Sequence, residues 1–178
     1  MPTIRIEHDD LLRRVNDATK IILPLATDRK SVMPIAVPFH SYFAVGAYQG
    51  GPRTLPPELW RVACQKGVSA NYYELWSEYG KKGKYYLHSV CLNLYRIEQG
   101  NQKPLLMIHA DPETQFGSPH DIYKKGPHIH VMEGSIWPDV HIGLNLGHLR
   151  EVVSAAKPLT IALMKAVKMV EDQVFPLL

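Results

Sequence analysis

One run of residues constrains this chain more than any other. From Tyr85 to Glu98 the sequence is rich in aromatic and β-branched side chains, follows the turn Gly80-Lys81-Lys82-Gly83, and is closed by Gln99-Gly100-Asn101. That composition between glycine turns predicts a β-strand. Lys103 to Ala110 follows closely enough to pair with it as an antiparallel hairpin. Pro127 to Met132 and Val140 to Leu146 predict a second hairpin around Gly134 to Asp139. Between the hairpins, Asp111 to Gly126 holds two prolines and two glycines and predicts a long loop. A compact domain rarely carries such a loop without using it. The expected sheet therefore has about four antiparallel strands, near 84–98, 103–110, 127–132 and 140–146.

The flanking segments carry other periods. Leu11, Leu12, Val15, Ala18, Ile21 and Ile22 recur at helical spacing, Asp9 or Asp10 is available as a cap, and Pro24 stops that helix. Pro34 to Gly51 suits short strands or irregular packing around Ile35 to Val37 and Tyr42 to Val45. Pro57 can open a short helix to Lys66, and Ser69 can cap another carrying Tyr72, Tyr73, Leu75, Trp76 and Tyr79. At the other end His148 to Ala156 and Pro158 to Val174 read as helical, with Leu159, Leu163, Ala166, Val167 and Val170 on one stripe. The expectation is a single α+β domain over 1–178, with a helical part at 1–80, then the sheet, then a terminal helix covering one face.

Composition narrows the functional classes. A chain of 178 residues that is 46% apolar, with a net charge of +3, has the material for one globular core and does not read as disordered. Cys64 and Cys91 stand far apart without a CxxC context, so neither a disulfide scaffold nor a zinc knuckle is signalled, and buried free thiols in a reducing compartment are expected. The first ten residues include acids and lack the apolar core of an export signal, and no run of about 18 apolar residues predicts a membrane span. A cytoplasmic protein is expected. The charge excess sits within 81–100, too small for nucleic-acid binding by charge alone, although Lys81, Lys82 and Lys84 form a local basic patch.

The chemistry gathers on histidine. Six of the nine histidines lie between His109 and His148. Strand alternation places His128 and His130 on one face, and a hairpin turning near Ser135 and Ile136 sets His130 across from His141 and His128 across from Gly143. A slip of one residue in that pairing separates His141 from the other two. Neutral imidazoles suit a divalent transition metal, zinc or iron in particular, and three of them with an open position can activate water. His128, His130 and His141 are the candidate ligands, with Asp111 or His109 as an additional one. Asp121, Glu133 and Asp139 are further carboxylates that can orient a ligand, and His120 is a weaker candidate. Without a metal, His128, His130 and His141 can serve as catalytic acid and base on a phosphodiester, with Asp111 beside them and Lys124, Lys125 or Arg96 balancing phosphate charge. A lone strand histidine is more often a surface or hydrogen-bonded residue; the His-x-His pair with a third His in the next strand raises the functional reading to parity.

Gly126 to Asn145 contains His-x-His, Glu133 and His-x-x-x-Asn, which looks like a compressed cupin signature, but the insertion and glycine spacing of cupins are missing. The paired His-x-Thr or His-x-Ser of two-histidine phosphoesterases is missing too, since the chain has His128-Ile129-His130 and His141-Ile142-Gly143. Tyr72 to Tyr86 interleaves aromatics with Lys81, Lys82 and Lys84, a composition able to stack bases and contact an anionic substrate or RNA. The stripe Tyr72, Trp76 and Tyr79 reads more readily as packing against the sheet. The leading expectation is a histidine-site hydrolase, nuclease-like, acting on phosphodiesters or nucleic acid. The alternative is a non-catalytic binding or assembly subunit with structural histidines, contacting protein or RNA. A metal-dependent oxygenase or isomerase of barrel type is a third possibility, poorly supported by the short strands.

Overall fold

The computed structural model describes residues 4–27, 33–39, 42–48, 56–57, 59–63, 65–78, 80, 83–112, 126–131, 140–144 and 149–177. Among the described residues nine strands form one antiparallel sheet: β1 (Arg5–Glu7), β2 (Met33–Phe39), β3 (Tyr42–Tyr48), β4 (Trp60–Arg61), β5 (Val68–Glu78), β6 (Lys84–Glu98), β7 (Asn101–Ala110), β8 (His128–Val131) and β9 (Val140–Gly143). The main path runs β2-β3-β5-β6-β7-β8-β9, with β1 added to β6 and β4 to β5. Helix α1 spans Asp10–Ile22, a single turn α2 spans Leu149–Val152, and α3 spans Ala156–Met169 and continues as a π turn over Val170–Val174.

This overturns the expected four-stranded α+β arrangement with several N-terminal helices. The four late strands are present, but β1 to β5 build the other part of the same sheet: β2 and β3 lie where short strands or irregular segments were expected, while β4 and β5 replace expected helices. Val68–Glu78, expected as a helix, is a strand between β3 and β6, and the segment from Pro57 contributes only the two-residue β4. The cause lies in burial. Nearly every residue of β5 is covered on both faces, so the polar–apolar alternation that marks a half-exposed strand is absent. Tyr72 and Trp76 also stand four apart, a spacing that shares one face in a helix and in a strand alike.

The β6–β7 hairpin forms through Gln99 and Gly100, whose φ angles are 51° and 81°, the two positive values that a tight two-residue hairpin needs. Register slips between Leu94 and Tyr95, where Pro104 enters β7; a bulge is where a strand tolerates a residue without an amide hydrogen. The β8–β9 pair has the expected register, with His130 opposite His141 and His128 opposite Gly143. Most of the expected 111–126 loop and the 134–139 turn fall outside the described residues.

The helices cover one face. α1 packs against β2 and β3 and against α3, burying Leu11, Ala18, Ile21 and Ile22, while Leu12 turns outward. Leu159, Leu163, Ala166, Val167 and Val170 are buried as their stripe predicts. Pro158 sits in the first turn of α3, where its missing amide costs nothing. The expected Asp9 cap makes no side-chain hydrogen bond; Asp10 instead accepts one from the Glu7 amide at 3.4 Å. Between helices and sheet lies a buried polar knot. Arg14 donates to Glu74 from Nε at 3.1 Å and from Nη2 at 2.5 Å, and Tyr72 and Trp76 donate to the same carboxylate at 2.5 and 2.8 Å. Arg14 also reaches Thr160 of α3 at 2.6 Å, so one side chain ties α1, β5 and α3 together. Burial disfavours the Arg14 charge, but Glu74 outweighs it and holds the guanidinium protonated, while burial and Glu74 keep the Tyr72 hydroxyl neutral.

Candidate metal centre

The other face of the sheet is built in rows. Cross-strand partners point the same way, so the register Tyr73–Cys91–His109–His128–Gly143 defines one row across β5 to β9. The next row, two residues along each strand, is Asn71–Asn93–Met107–His130–His141. His109 and His128 are therefore direct neighbours, and His130 stands two residues along β8 from His128 and diagonally across from His109.

The side chains converge. Ring centroids are 5.3 Å apart for His109 and His128, 5.6 Å for His109 and His130, and 4.8 Å for His128 and His130. One ligand atom from each of the three lies within 4.8 Å of the others. Nitrogens around a tetrahedral zinc stand about 3.3 Å apart, so small side-chain rotations close the set around an ion.

Two rings are held by second partners. His109 Nε2–H donates to Asp111 Oδ1 at 2.8 Å, which leaves Nδ1 as the nitrogen a metal can take. Among the described residues Nδ1 meets no partner of good hydrogen-bond geometry, and its polar neighbour is the Cys91 thiol opposite in register. His128 Nδ1 lies 2.9 Å from the Gly126 carbonyl, which only accepts, so Nδ1 carries the proton and Nε2 the lone pair. Anchored rings of this kind are the usual support of metal-binding histidines. In the metal-free protein burial works against charge on His109, yet Asp111 and Cys91 outweigh it and the pKa is pushed up to about 10.

The expected site is redrawn in part. His128 and His130 come together as read from their alternation, but the described third member is His109 of β7, which had stood only as an additional ligand. His141 takes the register position opposite His130, and its side chain lies outside the described part. Asp111 acts on His109. Lys124, Lys125, His120, Asp121, Glu133, Asp139, Lys81, Lys82, Tyr79, Cys64 and His148 lie outside the described residues. Arg96 is five residues along β6 from Cys91, about 17 Å away, and reaches Glu98 at 3.8 Å. Lys84 is seven residues from Cys91 in the other direction, about 23 Å along the strand, and pairs with Glu7 at 3.5 Å. Of the aromatic stripe, Tyr72 and Trp76 serve the Glu74 knot, while Tyr73, which was not part of it, lies on the histidine face. Cys91 is free and buried, as expected.

The signal for His109 was present in the chain. His109-x-Asp111 has the same two-residue spacing as His128-x-His130, so both members of each pair share a strand face.

No helix among the described residues is long and apolar enough to cross a membrane. No family model, curated protein or solved structure matches the chain.

Proposed function

We propose that this protein is a metal-dependent enzyme of the hydrolytic class, with zinc or iron held by His109, His128 and His130. The observation that carries the reading is the convergence of three imidazole nitrogens within 4.8 Å on three adjacent strand positions. Three neutral nitrogen ligands leave a coordination position for water, and a bound metal supplies a hydroxide nucleophile near neutral pH. The protein's own part is orientation. Asp111 fixes the His109 ring and the Gly126 carbonyl fixes His128, so both rings are oriented before a metal arrives, and a metal on His109 would take the place of a proton. Phosphodiester and nucleic-acid substrates, expected from the sequence, draw no support from Lys84 or Arg96, which stand far along β6 from the triad.

The test is turnover of two generic probes, p-nitrophenyl acetate and bis-p-nitrophenyl phosphate, by zinc-loaded and chelator-treated protein. Hydrolysis of at least one is expected, lost on chelation, restored by metal, and reduced by 100-fold or more in His130→Ala. Equal rates with and without metal, or an unaffected His130→Ala variant, would overturn the hydrolytic reading. A chain that binds metal but hydrolyses neither probe would favour the binding-subunit alternative.

A further inference from the structure

Beside the triad a chain of amides ends in an acceptor that meets no donor among the described residues. Asn71 Nδ2 donates to the Pro57 carbonyl at 3.3 Å, and Asn93 Nδ2 donates to Asn71 Oδ1 at 2.8 Å. The direction of this chain is fixed at its start. A proline carbonyl can only accept, so Asn71 must turn its NH2 toward Pro57 and its oxygen toward Asn93. Asn93 must then turn its own NH2 toward Asn71, which points Asn93 Oδ1 the other way. That oxygen is buried, and among the described residues it has no hydrogen-bond partner. Asn93 itself is 5% exposed. Leaving such an acceptor unsatisfied is costly, and a ligand that donates to it relieves the cost.

Position and surroundings define what that ligand is. Asn93 shares a row with Met107 and His130 and is a diagonal neighbour of His109, a separation of about 7–8 Å between backbones. A small molecule on the metal spans that gap. The positions around Asn93 on this face are Asn71, Tyr73, Cys91, Tyr95 and Met107, with His109 and His130 on the side of the triad. Burial raises the Tyr73 and Tyr95 pKa values, which keeps both hydroxyls neutral. We propose that Asn93 Oδ1 is a specificity determinant of the metal site, accepting a hydrogen bond from a ligand that carries an N–H or O–H beside its metal-binding atom. The ligand class is an amide, hydroxamate or hydroxyl compound rather than a phosphodiester, which has no hydrogen to donate at neutral pH. This inference rests on the metal reading above.

The experiment uses zinc-loaded full-length protein and two metal-chelating probes, acetohydroxamic acid and N-methylacetohydroxamic acid, which differ in the N–H donor. Affinities are read by calorimetry, with zinc content measured in the same samples. Wild type is expected to prefer the N–H probe by about tenfold or more, because the analogue leaves the acceptor unpaired. In Asn93→Leu, of similar volume, the preference is expected to vanish. In Asn71→Leu, which retains the acceptor but frees it to turn, the preference is expected to shrink. Equal affinities in zinc-replete wild type overturn the inference while leaving the metal reading intact. A preference that survives Asn93→Leu assigns it to the bulk of the methyl group and overturns the inference as well. A wild-type protein that holds no zinc overturns both.

Discussion

The two faces of strand β5 bury polar groups to opposite ends. On the helix side Glu74 is fully enclosed and its two oxygens take four hydrogen bonds from Arg14, Tyr72 and Trp76. On the other side Asn71 and Tyr73 begin rows that lead through Asn93 and Cys91 to the histidines, and there Asn93 Oδ1 and His109 Nδ1 lack good partners among the described residues. A saturated network has nothing left to offer a ligand and serves to lock α1 and α3 onto the sheet. An unsaturated one keeps interaction free energy in reserve for whatever binds. Burial alone therefore does not tell these two clusters apart, whereas the unmet acceptors beside the histidines do.

The contrast can be broken at both ends. The largest effect is expected from Glu74→Leu, which leaves a buried guanidinium with only Asp17 and Thr160 as partners and takes the acceptor from Tyr72 and Trp76: unfolding in urea should show a loss of about 3–5 kcal/mol. Adding Arg14→Met to Glu74→Leu should recover part of that loss, because it removes the unbalanced charge but leaves the Tyr72 and Trp76 donors without their Glu74 acceptor. Failure of the double variant to recover would mean that Arg14 contributes more than its pairing with Glu74. Next comes His128→Ala, which should abolish the stabilisation that zinc gives the wild type, about 2.7 kcal/mol at a free metal concentration 100 times Kd. Thermal melts with and without zinc measure it. Asp111→Asn should have a smaller effect, about a 10- to 100-fold loss of zinc affinity with the stoichiometry preserved at saturation, because it releases the His109 ring without removing a ligand. Competition against a chromophoric chelator reads that change. Least affected is Lys84→Ala: its exposed pair with Glu7 should contribute less than about 0.5 kcal/mol, and zinc affinity should not move.

What could be read directly from the chain follows the same physical divide. α1 and α3 are legible because each buries only one stripe, so their period survives in the sequence, and Leu159, Leu163, Ala166, Val167 and Val170 all reach the core. The β8–β9 register is legible because two short strands must put Ile129 and Val131 on the same side as Val140 and Ile142. β5 is not, since both of its faces are covered and its aromatic spacing satisfies two periods at once. His109 was undervalued for a different reason. It joins His128 through a β7–β8 pairing across the segment from 111 to 127, and local spacing cannot fix a non-local register.

The central claim is that His109, His128 and His130 form one metal centre. Its most direct test is the zinc content of protein purified without a histidine tag, dialysed against limiting zinc and counted by mass spectrometry, alongside the triple alanine variant. The account predicts one equivalent in the wild type and none in the variant. Less than about a tenth of an equivalent in a folded wild-type protein, or equal zinc in both, would contradict it.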